Sequence, residues 1–163
     1  MSDCSFLIRE IRPGDNDELR SIIQSIFPEF GLPFEGTTYE DHETAHMFES
    51  YQDQGEFYLV LEENGKVVGG AGIKPLRDEQ EDICELQKMY FKPKSRGKGY
   101  GKLLFDKCID RAREMGYKQC YLESASVLKT AISIYERNGF KFLDRPMGNT
   151  GHYSCGVWMI KDL

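Results

Sequence analysis

The chain has 163 residues, 40% of them hydrophobic and 29% charged, with a formal net charge of −6. That length suits one domain, expected to span residues 1–163, whose core stands without disulfides or other staples. No apolar run approaches about 18 residues, and the acidic balance argues against nonspecific contact with nucleic acid or an anionic membrane, both of which need a sustained basic surface.

In chain order, Phe6 to Ile11 predicts a first strand, stopped by Pro13-Gly14. Asp15 is expected to cap a helix whose apolar set Leu19, Ile22, Ile23 and Ile26 keeps helical spacing until Pro28. Pro28 to Gly36 holds two prolines, two glycines and the apolar anchors Phe30, Leu32 and Phe34, the composition of a loop at a pocket rim. Residues 39–53 are acidic and weakly amphipathic, and predict a short helix. Phe57–Leu61 and Lys66–Ile73 are strands joined across Asn64-Gly65, a strong hairpin signal. A polar turn, Arg77 to Asp82, leads to a strand over Ile83–Phe91. A helix from Gly101 is expected to close at Gly116, followed by a strand over Gln119–Glu123. Leu128, Ala131, Ile132 and Tyr135 carry the next helix, which stops at Asn138-Gly139. Strands around Phe142 and from Tyr153 to Ile160 end the chain. The order β-α-α-β-β-β-α-β-α-β-β predicts an α+β fold on a mixed sheet.

The N-terminal MSDCSFLIREI lacks a basic segment followed by an apolar core, so a cytoplasmic location is expected. Five cysteines (Cys4, Cys84, Cys108, Cys120, Cys155) include no C-x-x-C pair, which predicts reduced, mostly buried thiols and no metal knuckle.

Residues 96–101 read Arg-Gly-Lys-Gly-Tyr-Gly between the strand ending at Phe91 and the helix carrying Leu103, Leu104, Cys108 and Ala112. Glycines let the chain turn tightly, and the first N–H groups of the helix have no partner within it, so the turn suits a diphosphate. Lys92, Lys94, Arg96, Lys98 and Lys102 surround it, with no Asp or Glu from Leu86 to Phe105. A dinucleotide fingerprint counted from Gly97 would need glycine at position 102, where Lys102 stands. A P-loop would need one more residue before Gly101-Lys102, then Ser or Thr where Leu103 stands.

The spacing Arg96, Gly99, Gly101 resembles the coenzyme A pyrophosphate motif of the GNAT superfamily of N-acetyltransferases. Upstream, Glu85 to Phe91 resembles that family's fourth strand. Downstream, Ala131, Tyr135, Gly139 and Phe140 resemble its second signature, A-x-x-x-Y-x-x-x-G-F. The resemblance covers most of the chain from about Phe57 onward, with Leu7 to Phe27 similar to the family's first strand and helix. It implies the GNAT-like acyl-CoA N-acyltransferase fold, in the manner of small single-domain bacterial members. It also implies acetyl-CoA as co-substrate, no metal, a small primary amine as acceptor, and a homodimer.

Residue by residue, the resemblance places coenzyme contacts at Met89, Tyr90 and Phe91, on backbone freed where the fourth strand splays from its neighbour. It places others along the turn at Arg96, Gly97, Lys98, Gly99, Tyr100, Gly101 and Lys102. Glu85 takes the position of a general base and Tyr135 that of the acid for the departing thiolate, with Glu123 as a reserve base. Many relatives carry Asn where Leu128 stands, so Ser126 and Lys129 are expected to substitute. A non-catalytic acyl-CoA sensor would keep the glycine turn but not both Glu85 and Tyr135.

His42-Glu43-Thr44-Ala45-His46 spells H-E-x-x-H, the pattern of zinc hydrolases, but a third ligand is needed and the only other histidine is His152. The same segment offers two acceptor readings. Its acids Glu40, Asp41, Glu43, Glu49, Asp53 and Glu56 would draw a cationic amine if they face the pocket, or form a solvated face if they do not. Arg145 and His152 would instead take a carboxylate.

Overall fold

A computed structural model describes residues 5–163, so Cys4 lies outside the described residues. The elements are β1 (Phe6–Glu10), α1 (Asn16–Phe30), α2 (His42–Ala45), β2 (Phe57–Glu63), β3 (Lys66–Pro75), β4 (Ile83–Phe91), α3 (Tyr100–Glu114), β5 (Gln119–Ser124), α4 (Lys129–Arg137), β6 (Lys141–Leu143) and β7 (Val157–Asp162). The strands form one mixed sheet in the order β1-β2-β3-β4-β5-β7-β6. Only β4 and β5 run parallel, because α3 returns the chain across the sheet between them.

Both faces of the sheet are covered, which explains the unbroken apolar run at the start of β2. Alternate side chains point to opposite faces. Phe57 and Leu59 join the cluster of Leu104, Phe105 and Cys108 from α3, while Tyr58 and Val60 join that of Leu19, Ile23 and Ile26 from α1. The β2–β3 hairpin turns at Asn64 and Gly65, whose φ values of 52° and 78° are those of the expected tight turn.

Four boundaries differ from the sequence reading. α1 runs on past Pro28 to Phe30, giving up the backbone bond that the proline cannot donate; Gly31, at φ 64°, closes it as Leu32 N–H bonds Phe27 O at 2.8 Å. Asp15 precedes that helix but its carboxylate makes no capping bond. It accepts from Arg12 N at 2.7 Å and from the Arg9 guanidinium at 2.8 and 2.9 Å, and Glu62 is the second partner of the partly buried Arg9. The acidic segment is not one helix but three single turns, Thr38–Glu40, α2 and Glu49–Tyr51, since His46 leaves helical geometry at φ −133° and ends α2. Tyr153 to Gly156 is loop instead of strand: Tyr153 N–H bonds Gly36 O, and Gly156 at φ 85° delays β7 to Val157.

Two irregularities shape the centre of the sheet. β4 and β5 pair at Ile83–Gln119, Cys84–Cys120 and Glu85–Tyr121, and then separate; β5 continues against β7 while β4 continues against β3. On its other side β4 carries a bulge, where the register passes from Gly72–Gln87 to Gly70–Tyr90 and Lys88 takes φ 50°. The Tyr58 hydroxyl donates to Lys88 O at 2.8 Å. Its ring lies so near β3 that a Cβ on Gly70 or Gly72 would stand 2.4 or 2.5 Å from it, so only glycine fits at either position.

Candidate active site

The fork between β4 and β5 opens into a cavity of about 820 Å³, bounded by α1, the glycine turn, α4 and the loop before β7. Arg96, Gly97, Gly99, Tyr100, Gly101 and Lys102 line one part of it, and Met89, Tyr90 and Phe91 line its β4 wall. Gly97 and Gly99 have φ values of 76° and 82°, a conformation that costs an L-residue roughly 1 kcal/mol or more. The N-terminus of α3 therefore meets the cavity with no acidic residue in its first turn.

Lys98 stands outside this lining. Its ammonium turns to Glu63 at 2.8 Å, so its side chain does not share the place the sequence reading gave it. Arg96 reaches back to Phe91 O with Nε at 3.2 Å and Nη2 at 2.9 Å, and pairs with Glu29 of α1, Nη2 to Oε1 at 3.0 Å. Of the β4 backbone expected to be free, the Phe91 carbonyl is thus engaged by Arg96. Gly101 lies within the helix, where a Cβ would meet only ordinary contacts.

Glu85 sits at the last rung before the fork and is only 6% exposed. Gln87 Nε2 donates to Glu85 Oε1, and the Tyr51 hydroxyl donates to Gln87 Oε1 at 2.7 Å, which orients that amide. Burial pushes the Glu85 carboxyl up to about 7; Glu123 adds to the rise, while Gln87, His152 and Lys88 oppose it. Tyr135, also buried, packs on Phe105 and Phe140 with ring centroids 6.1 and 5.8 Å away, and burial keeps its hydroxyl protonated well above the ordinary phenol range. Glu85 and Tyr135 line the same cavity, as do Leu128 and Lys129; Ser126 does not line it.

The acidic segment meets the site as an ion-pair chain. The Lys88 ammonium, whose side chain is 2% exposed, lies 3.3 Å from both Asp41 and Glu43. Glu43 also bonds Lys74 at 2.8 Å, and Lys74 reaches Glu56 at 3.5 Å. Asp41 accepts from His152 Nε2 at 2.9 and 3.0 Å. Burial works against the imidazolium, but the hydrogen bonds to Asp41 and Cys155 raise His152 to about 10.

These pairings correct both acceptor readings. Asp41, Glu43 and Glu56 are satisfied by cations of the chain itself, and Glu49 is exposed. Arg145 is exposed and does not line the cavity, and His152 is held by Asp41. The carboxylates that do line it are Glu85 and Glu123. In H-E-x-x-H, His42 and His46 stack on the exposed side with ring centroids 4.5 Å apart while Glu43 turns inward to the lysines, so the three do not converge. The sequence reading missed Lys88, whose only signal is that it is the one cation in the β4 segment.

An open fork beside a glycine turn at a helix N-terminus is the architecture of an acyl-coenzyme A transferase fold. The sequence profile of the acetyltransferase (GNAT) family matches residues 17–140. The chain is 43% identical over 158 residues to the uncharacterized N-acetyltransferase YjgM of Escherichia coli K12, covering 96% of this chain and 95% of that one. Its fold matches a GNAT-family acetyltransferase from Staphylococcus aureus Mu50 with a TM-score of 0.84 at 22% identity, covering 98% and 99% of the two chains. The PaiA N-acetyltransferase of Thermoplasma acidophilum, solved in complex with coenzyme A, matches with a TM-score of 0.78 at 19% identity, covering 98% and 99%. The chain belongs to the GNAT family of N-acetyltransferases. Among the described residues no helix is long and apolar enough to cross a membrane.

Proposed function

We propose that this acetyltransferase moves the acetyl group of acetyl-CoA to a primary amine of a small molecule, an amino acid, polyamine or related metabolite, by direct attack in a ternary complex. The observation that carries this reading is the buried Glu85 at the mouth of the fork, with its carboxyl raised to about 7. An ammonium ion cannot attack a thioester, and a base that titrates near neutrality is matched to removing its proton.

The chain's own residues divide the work. The N-terminal turn of α3 and Arg96 receive the pyrophosphate, for which the arginine must exchange Glu29. The β4 wall from Met89 to Phe91 lies along the coenzyme arm. Glu85 accepts the proton of the amine as nitrogen attacks the thioester carbon. The carbon–sulfur bond then breaks, the Tyr135 hydroxyl donates to the departing sulfur, and the phenolate it leaves is reprotonated from solvent as Glu85 gives up the proton it took. A cavity of about 820 Å³ must hold the coenzyme arm and the acceptor together, which favours a small acceptor. The two carboxylates facing it, Glu85 and Glu123, favour one that carries positive charge.

The test is mass spectrometry of mixtures containing the protein, acetyl-CoA and a panel of polyamines, amino acids, aminoglycosides and lysine peptides. An acetylated small amine is expected. Coenzyme binding without any acetylated product would overturn the reading in favour of a sensor.

A further inference from the structure

Three side chains in the cavity carry no bond-making or proton-transfer step of this chemistry. A carboxylate oxygen of Glu123, a ring nitrogen of His152 and the sulfur of Cys155 lie within 4.8 Å of one another, and all three residues line the cavity. Glu123 comes from β5 past the fork, while His152 and Cys155 come from the loop before β7. We propose that these three side chains bind a divalent cation of the zinc type, which displaces the protons held on Cys155 and on His152 Nδ1 and keeps its fourth position open to the cavity.

The donor set points to that class. A thiolate, an imidazole and a carboxylate suit zinc, whereas magnesium and calcium favour oxygen alone. Three protein ligands with one open position is the form of zinc site that leaves room for a small ligand.

The surroundings hold the donors in place. His152 Nε2 lies 2.9 and 3.0 Å from the two oxygens of the Asp41 carboxylate, an acceptor, and donates to it. This leaves Nδ1, 3.9 Å from Glu123 Oε1, as the nitrogen turned toward Glu123. A ligating histidine is usually held by a carboxylate in this way. Glu123 is fixed in turn, accepting from the Tyr121 hydroxyl at 2.7 Å and the Thr150 hydroxyl at 2.6 Å. The other described cysteines, Cys84, Cys108 and Cys120, are buried, so Cys155 is the described thiol most open to a metal.

The test uses neither acetyl-CoA nor an acceptor, so its outcome is separate from that of the acetyl-transfer reading. Reduced, chelator-stripped wild-type protein is titrated with Co²⁺ and followed by absorption, then back-titrated with Zn²⁺. One equivalent is expected to bind with a thiolate-to-cobalt charge-transfer band that Zn²⁺ abolishes. Cys155→Ser should lose the band and bind at least about tenfold more weakly, the loss that even an outer-shell partner can cause. Cys4→Ser and the double variant His42→Ala/His46→Ala should keep both band and affinity, and melting curves check that each variant is folded. X-ray absorption of zinc-loaded wild type should show one sulfur in the first coordination shell. Absence of sulfur from that shell, absence of the band, or its persistence in Cys155→Ser would each overturn the proposal.

Discussion

The Tyr58 hydroxyl and the Lys88 carbonyl, 30 positions apart, meet at 2.8 Å where β4 bulges toward the site. That bond holds a buried carbonyl at the bulge, where Lys88 has no register partner on β3. Tyr58→Phe should strand the acceptor and destabilise the fold by about 1–3 kcal/mol in urea unfolding. An unchanged midpoint and slope would mean that the bulge needs no brace.

Glu85→Gln should lower kcat/KM about 10²- to 10⁴-fold. In chelator-treated wild type, kcat/KM should rise with pH through an apparent pKa of about 7 and then level, as the carboxyl loses its proton; the variant should lack that limb. The stability effect has the opposite sense. The folded carboxyl titrates above its unfolded value, so between pH 4.5 and 7 the native state binds more protons, and wild-type stability falls as pH rises. The fall is on the order of 3 kcal/mol, and Glu85→Gln should not show it. Parallel denaturation curves across that range would remove Glu85 from this role.

Tyr135→Phe keeps the ring that packs on Phe105 and Phe140 and removes only the hydroxyl. Turnover should fall about a hundredfold while the calorimetric affinity for acetyl-CoA stays within about twofold, the pattern of a group acting only as the sulfur departs. Equal turnover would take the tyrosine out of the chemistry.

Gly99→Glu sets a carboxylate and a strained backbone at the N-terminus of α3. Coenzyme affinity should drop about a hundredfold or more by calorimetry, since like charges placed together cost several kcal/mol. Gly99→Ala carries the strain without the charge and should lose less. Equal losses in the two variants would show that the turn's shape, not its field, governs binding.

Glu29 holds the arginine that the pyrophosphate is expected to claim. Glu29→Gln should tighten coenzyme binding modestly, by about two- to fivefold, in keeping with the small worth of an exposed ion pair. Weaker binding would show that Glu29 positions Arg96 rather than competing for it.

What the sequence revealed depended on how local each signal was. The hairpin at Asn64-Gly65 and the turn at Gly97 and Gly99 were legible because glycine and asparagine mark backbone that other residues avoid. The alternation in β2 was hidden, since both of its faces are buried and the run reads as uniformly apolar. The fork at Glu85 came only from resemblance, because no spacing records where two strands stop pairing. The acidic segment misled for a related reason. Asp41 and Glu43 look unopposed in sequence, and their partners Lys74, Lys88 and His152 lie 31 to 111 positions away. Glu123, His152 and Cys155 follow no recognised ligand spacing, since the first two are 29 positions apart and a strand pairing brings them together.

The cavity wall draws on residues from Ile26 to Cys155, so no short stretch of chain preforms it. Whatever fills it binds the completed fold and not the unfolded chain, and so shifts the folding equilibrium by mass action. A ligand at a hundred times its dissociation constant adds about 2.7 kcal/mol. The supply of coenzyme would then set how long each molecule survives heat and proteolysis as well as how fast it works.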